Sequence, residues 1–271
     1  MKLKKIFFFV SLAFFAIILV DCSASKNKEE QWEQLATNAA EFTDRKQYDD
    51  AMRAWKLALQ FAEGNFSSGH EAITVSNENL ADIYRINGNL NKAEELLIRA
   101  LGNEEKRLGA NHPDVGIALN NLGAVYVEQK KYSEAEEALK RSIQLLERAQ
   151  APQLLITAFY SLADCYQAQG RYTEAEPFFK RVLESDKEEY EKDKAEENLI
   201  SLTIDLLALA KNYVLQREYN QAKELYQKAL KIAPNDSDVA EAIKKLADVY
   251  KKQGFDKEAS LLYEKIGMSS R

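Results

Sequence analysis

One segment of this chain recurs six times, and no other feature limits the possible folds so strongly. Aligned on an aromatic residue and an alanine, NLADIYRINGNLNKAEELLIRAL from Asn79, NLGAVYVEQKKYSEAEEALKRSI from Asn121, SLADCYQAQGRYTEAEPFFKRVL from Ser161 and KLADVYKKQGFDKEASLLYEKIG from Lys245 superimpose. ALAKNYVLQREYNQAKELYQKAL from Ala208 is a further copy, and NAAEFTDRKQYDDAMRAWKLAL from Asn38 is a weaker first one. The marker alanines are Ala51, Ala93, Ala135, Ala175, Ala222 and Ala259, at spacings of 42, 42, 40, 47 and 37. Repeats of this period fold as similar units, each of which buries its apolar face only against its neighbours.

Within each copy, apolar residues at helical spacing, such as Leu122, Gly123 and Tyr126, define a first helix. A short turn follows, marked by Gly88, Gly170 and Gly254 in three copies. A second helix then presents Ala135, Leu139 and Ile143 at i, i+4 and i+8. The small residue of the first helix (Ala39, Ala81, Gly123, Ala163, Ala210, Ala247) lets the second helix approach, and the aromatic (Phe42, Tyr84, Tyr126, Tyr166, Tyr213, Tyr250) fills the space between them. Only 10 Gly and 4 Pro in 271 residues agree with helix throughout. Pro177 is expected in about the first turn of a second helix, where a missing N–H is tolerated, and Pro234 as a helix stop. The charged insertion ESDKEEYEKDKAEEN, residues 184–198, reads as an extension of its flanking helices or as a solvated loop, and as the candidate for a flexible joint.

These residues resemble the tetratricopeptide family over roughly residues 32–266. The 42-residue period and the segment LGANHPDVGIALNNLG from Leu108 are similar to the kinesin-light-chain subtype. The resemblance implies an all-α, right-handed superhelical solenoid of about six helix-turn-helix repeats. They are placed around 32–65, 74–107, 116–149, 156–189, 203–236 and 240–271, within a solenoid domain of 31–271.

The start of the chain has a different character. Lys2, Lys4 and Lys5 precede a 15-residue apolar run, Ile6 to Val20, broken only by Ser11. That is short for a membrane span of about 20 residues and fits a signal peptide, assigned to residues 1–21. Cys22 follows directly, and the arrangement resembles a bacterial lipoprotein signal, which implies acylation of Cys22 and a short tether at 22–30. Leu19 and Ser23 fit that pattern, whereas Asp21 stands where the family has Gly, Ala or Ser. Cleavage after Ala24 and an uncleaved anchor are the alternatives. Each places the chain outside the cytoplasm; the lipoprotein reading puts it in the bacterial cell envelope, facing the periplasm or the cell surface. Cys165 is expected as a small buried hydrophobe.

Catalytic chemistry has little to work with. His70 and His112 also lie 42 residues apart, so they read as repeat features that cap the following helix. Acidic pairs such as Glu94-Glu95 and Glu136-Glu137 recur near the start of a second helix, where they complement its dipole. No phosphate-binding loop, nucleophile elbow or zinc-protease motif is present. The expectation is a non-enzyme with no cofactor, no metal and no small-molecule substrate. Without residues 1–21 the chain carries 34 positive and 42 negative side chains, which excludes phosphate-led nucleic-acid binding.

The resemblance implies that the first helices line a concave groove. Its positions are Val75, Glu78, Asn79, Asp82 and Arg85 in the second copy, and Ile117, Asn120, Asn121 and Ala124 in the third. They continue as Thr157, Tyr160, Asp164 and Gln167 in the fourth and as Ile204, Leu207, Lys211 and Val214 in the fifth. Glu241, Lys244, Lys245, Asp248 and Lys251 complete them in the sixth. Asn79 and Asn121 match groove asparagines of relatives that hold extended peptides; plain solvated helix residues are the alternative. The expected partner is a protein or peptide with an apolar middle and an acidic end, which meets Lys244 and Lys245. The function read from this is an interaction scaffold or adaptor, lipid-anchored in the envelope. A structural assembly factor for an outer-membrane, secretion or pilus machine, acting through a larger permanent interface, is the alternative.

Overall fold

The computed structural model describes residues 27–268. Among the described residues the chain is all helical, with twelve helices and no strand. They form six helix-turn-helix pairs. The pairs are α1 (27–44) with α2 (Tyr48–Asn65), α3 (Glu71–Ile86) with α4 (Leu90–Leu108), and α5 (Pro113–Glu128) with α6 (Tyr132–Arg148). Then follow α7 (Pro152–Ala168) with α8 (Tyr172–Lys192), α9 (Glu196–Gln216) with α10 (Tyr219–Ile232), and α11 (Ser237–Lys252) with α12 (Asp256–Lys265).

Two compact units are present, one ending at Ala118 and one beginning at Leu119, so that α5 contributes to both. In the first, α2 packs on α3 and α3 on α4. Trp32 of α1 donates its indole N–H to the Ser76 hydroxyl of α3 at 3.1 Å. In the second, consecutive helices from α6 to α12 pack on one another, and α9 also packs on α11.

The marker residues do what their sizes require. Ala51, Ala93, Ala135, Ala175, Ala222 and Ala259 are at most 2% exposed, as are Ala39, Ala81, Ala163, Ala210 and Ala247 on the first helices. At Gly123 a Cβ would stand 2.6 Å from Leu139 Cγ, so the α5–α6 approach leaves no room for a methyl group. All six turns within the pairs close alike. The carbonyls of Phe42, Tyr84, Tyr126, Tyr166, Tyr213 and Tyr250 accept from the backbone N–H five residues on, at 2.8–2.9 Å. This bond belongs to the Schellman end and needs a left-handed residue just before the donor. Gly88, Gly170 and Gly254 supply it in three turns, and Lys46, Lys130 and Arg217 in the other three, at φ of 58°, 61° and 66°.

Several expectations change in detail. Residues 27–30, read as tether, already belong to α1, because Lys28, Glu29, Glu30 and Gln31 favour helix and His70 lies 3.7 Å from Glu29. The insertion at 184–198 is mostly helix: α8 runs to Lys192 and α9 starts at Glu196, the two helices pack together, and the boundary between units lies elsewhere. Pro177 falls in the second turn of α8, inside the helix. Pro234 does follow the end of α10. Among the described residues α9 is long and apolar enough to cross a bilayer, but its Leu202, Leu206, Leu209 and Ala210 are buried against neighbouring helices. Residues 1–21 and Cys22 lie outside the described residues.

Candidate functional site

In the second unit the first helices of three pairs turn one stripe each toward a common cleft of about 520 Å3. α7 contributes Tyr160, Asp164 and Gln167; α9 contributes Ile204, Leu207, Ala208 and Lys211; α11 contributes Asp238, Glu241, Ala242 and Lys245. Spacings of i, i+3, i+4 and i+7 put each set on one helical face. Phe179 of α8 and Tyr226 of α10 form the floor, at 2% and 4% exposure. Both stand four residues after a marker alanine, one turn along the second helix. Tyr160 meets Phe179 edge to face, with ring centroids 5.5 Å apart.

The cleft is apolar at its centre, and its rim carries three carboxylates, Asp164, Asp238 and Glu241, against two lysines, Lys211 and Lys245. Lys245 pairs with Glu241 at 2.7 Å along α11, an exposed pair of small net value. Burial pushes the Asp164 carboxyl up, while the charge of Lys211 works against that. Gln167 donates to Asn212 Oδ1 at 3.2 Å, and the fully buried Asn212 donates in turn to the Tyr172 carbonyl at 3.0 Å. Beside the cleft, Asp205 of α9 shares a hydrogen bond with Asp186 of α8. Burial first, then the neighbouring Asp186 charge, push the Asp205 carboxyl up to about 8.

The residues singled out from sequence are distributed as follows. Tyr160, Gln167, Lys211 and Lys245 line the cleft, and Lys244 is exposed on α11 outside its lining. The basic end expected there is offset, because Glu241 and Asp238 stand on the same stripe as Lys245. Asn121 is half-buried on α5; Asn120 is 8% exposed, and its Oδ1 has no partner among the described residues. Asn79, Asp82 and Arg85 lie on α3 in the first unit. The Asn79 amide donates to the Val75 carbonyl at 2.8 Å, so it is engaged by its own helix, and Arg85 lies 3.3 Å from Asp82. Burial, then Glu104, Asp82 and Asp114, push the neighbouring Glu78 carboxyl up to about 7.

Sequence reasoning missed the cleft floor. Phe179 and Tyr226 occupy positions that are core in every copy, and an aromatic one turn after the marker alanine was the available signal. The histidines cap helices as expected. The Ala72 and Asp114 backbone N–H groups donate to Nδ1 of His70 and His112, each at 3.2 Å. Cys165 is fully buried. Among the described residues no cluster of three or more His, Cys, Asp or Glu side chains is arranged to hold a metal ion.

Models of the tetratricopeptide repeat match residues 71–148, 126–192 and 205–236. Among solved structures, kinesin light chain TPR-like repeats of Podosopora anserina align with TM-score 0.62 and 22% identity, over 74% of this chain and 94% of that one. A Rap protein complexed with competence and sporulation factor aligns with TM-score 0.61 and 13% identity, over 87% and 73% of the two chains. PilW, a type IV pilus biogenesis factor, aligns with TM-score 0.63 and 16% identity, over 87% and 91%. At these identities the likeness is one of fold. No curated protein matches the chain in sequence.

Proposed function

We propose, from the premise that this chain is built of tetratricopeptide repeats, that it is a non-enzymatic scaffold or adaptor that holds a segment of a partner protein in the cleft of its second unit. The observation that carries this reading is the construction of the cleft. Three consecutive first helices present matching stripes over an aromatic floor, which leaves Ile204 52% exposed beside Leu207 and Ala208. An apolar surface of this kind with a polar rim is the usual form of a recognition site. A structural neighbour, the Rap protein, is itself complexed with competence and sporulation factor. The fold supports a protein or peptide partner. The envelope location, and the lipid anchor at Cys22, rest on the resemblance of residues 1–22 to a lipoprotein signal.

A second reading, assembly of an envelope machine through a broad permanent interface, draws on exposed apolar residues of the last pair. Phe255 is 49% and Leu261 56% exposed, and PilW shares the fold. Affinity capture from envelope extracts separates the two readings. Loss of the captured partner with Ile204→Asp, but not with Leu261→Asp, supports the cleft; the opposite pattern supports the broad interface and overturns the first reading. Metabolic acyl labelling of the native chain, absent in Cys22→Ser, tests the anchor.

A further inference from the structure

We infer that α12 carries a self-association surface, on which a second copy of this chain pairs antiparallel, α12 against α12, about a two-fold axis that passes between Ser260 and Leu261. The surface lies outside the cleft lining and is independent of the cleft reading.

The last copy departs from the others on its outer face. The second residue after each marker alanine (Arg53, Glu95, Glu137, Pro177, Glu224, Leu261) is exposed in every copy. Four of the six are charged, and at the position before them Glu94, Glu136, Glu176 and Lys223 are charged too. The last copy has Ser260 and Leu261 instead, with Leu261 56% exposed. Ala259, Leu262 and Tyr263 are already buried on α12, which packs on α11, so folding needs no leucine at 261. The charges have changed as well. In α6 and α8 the glutamate after the marker alanine pairs with a lysine one turn on, Glu136 with Lys140 at 2.6 Å and Glu176 with Lys180 at 2.7 Å. Ser260 removes that pairing from α12, and Glu264 stands where those lysines do. Neither Lys257 nor Glu264 has an opposite charge three or four positions away, and neither forms an ion pair among the described residues.

Lys257, Ser260, Leu261 and Glu264 recur at i, i+3, i+4 and i+7, so they form one stripe, and with Asp256 they line a shallow hollow along the helix. The stripe is complementary to itself. Lys257 and Glu264 are equidistant from the point between Ser260 and Leu261. A two-fold axis at that point reverses one copy against the other and sets each Lys257 beside the other copy's Glu264, in two equivalent pairs. Each Leu261 then meets its counterpart near the axis, where the small Ser260 lets the helices approach. Parallel pairing would set lysine on lysine and glutamate on glutamate, so charge selects the antiparallel arrangement. The stripe is about 10 Å long, which places the contact among weak, transient interfaces that bury less than about 1,200 Å2.

The test is disulfide trapping of the full chain in detergent with Ser260→Cys, which keeps Leu261 and both charges. Mild oxidation is expected to give a cross-linked dimer at least about five-fold above that of Lys223→Cys, the same repeat position on α10. The native chain, with Cys22 and Cys165, sets the background. In the Ser260→Cys chain, a further Lys257→Glu or Glu264→Lys is expected to cut the dimer by about five-fold, because either one opposes like charges at two places. An equal mixture of those two chains is expected to restore it, since one then offers two acidic residues and the other two basic ones. A dimer no stronger than that of Lys223→Cys, charge variants that cross-link as well as Ser260→Cys, or a mixture that stays monomeric overturns the inference. Capture of a foreign protein that Leu261→Asp abolishes, with no dimer of the purified chain, assigns the stripe to that protein and overturns it as well. None of these outcomes bears on capture through Ile204, which tests the cleft.

Discussion

Replacing Asp205 with Asn removes the least comfortable charge in the second unit. Asp205 is 5% exposed, its Oδ2 has no partner among the described residues, and its carboxyl shares a hydrogen bond with Asp186. In the unfolded chain an aspartate loses its proton near pH 3.9; in the folded chain Asp205 keeps it until about 8. Between those values the folded state binds more protons than the unfolded state. Stability is therefore fully present below the unfolded pKa and is lost as pH rises toward the folded one, by up to about 1.4 kcal/mol per pH unit. Asn cannot ionise, and its amide can still donate to Asp186. From pH 5 to pH 7.5 the advantage of Asp205→Asn over the native chain should thus grow by about 3 kcal/mol. Repeat arrays unfold in parts, so the readout is hydrogen exchange of α8 and α9 amides in increasing urea, with far-UV circular dichroism beside it. Tryptophan fluorescence would miss the event, because both tryptophans, Trp32 and Trp55, lie in the first unit. An offset between the two proteins that stays within about 0.5 kcal/mol from pH 5 to pH 7.5 would refute the reasoning.

Two further outcomes follow from the repeat geometry. Gly123→Ala should destabilise the second unit by about 1–3 kcal/mol in a urea titration, despite the roughly 1 kcal/mol that alanine gains in a helix, because the new Cβ meets the fully buried Leu139 side chain; Leu139→Val in the same chain should recover part of the loss. Arg217→Gly should stabilise it by about 0.5–1 kcal/mol, since Arg217 holds φ 66° where Gly170 and Gly254 stand in other copies; a lower thermal midpoint than the native chain would contradict that.

Much of this architecture could be read from residues because tight steric positions leave marks that survive variation. A second helix that touches a first helix tolerates only Gly or Ala at the contact, so twelve small residues announce six pairs. The turns were less legible. The left-handed position is visible where it is Gly, and hidden where Lys46, Lys130 or Arg217 adopts it under the pull of the same closing hydrogen bond. The insertion at 184–198 lacks an apolar stripe, yet its Glu and Lys content favours helix, and Asp186 turns inward to meet Asp205. Asp205 itself stands at the repeat position of Ser76 and Ala158, a carboxyl on an apolar face between Ile204 and Leu206, and no pattern in the chain pairs it with a residue 19 positions earlier.

The stripes on α7, α9 and α11 followed from helical spacing once the groove was assumed. The floor did not, because exposure to a cleft is decided by how neighbouring pairs pack, and Phe179 and Tyr226 look like any core aromatic. Asn79 stands open in sequence between a groove asparagine and a plain helix residue, and neither reading places its amide on the Val75 carbonyl one turn back.

Site-specific photo-crosslinking tests the central claim most directly. A benzophenone amino acid placed at Leu207, half-buried in the cleft, is compared with one at Lys228, exposed on α10 and outside the cleft lining. The account predicts one dominant protein adduct in envelope extracts from position 207, suppressed by Ile204→Asp, and little from position 228. Equal adducts from both positions, or a dominant one from position 228 alone, would contradict it.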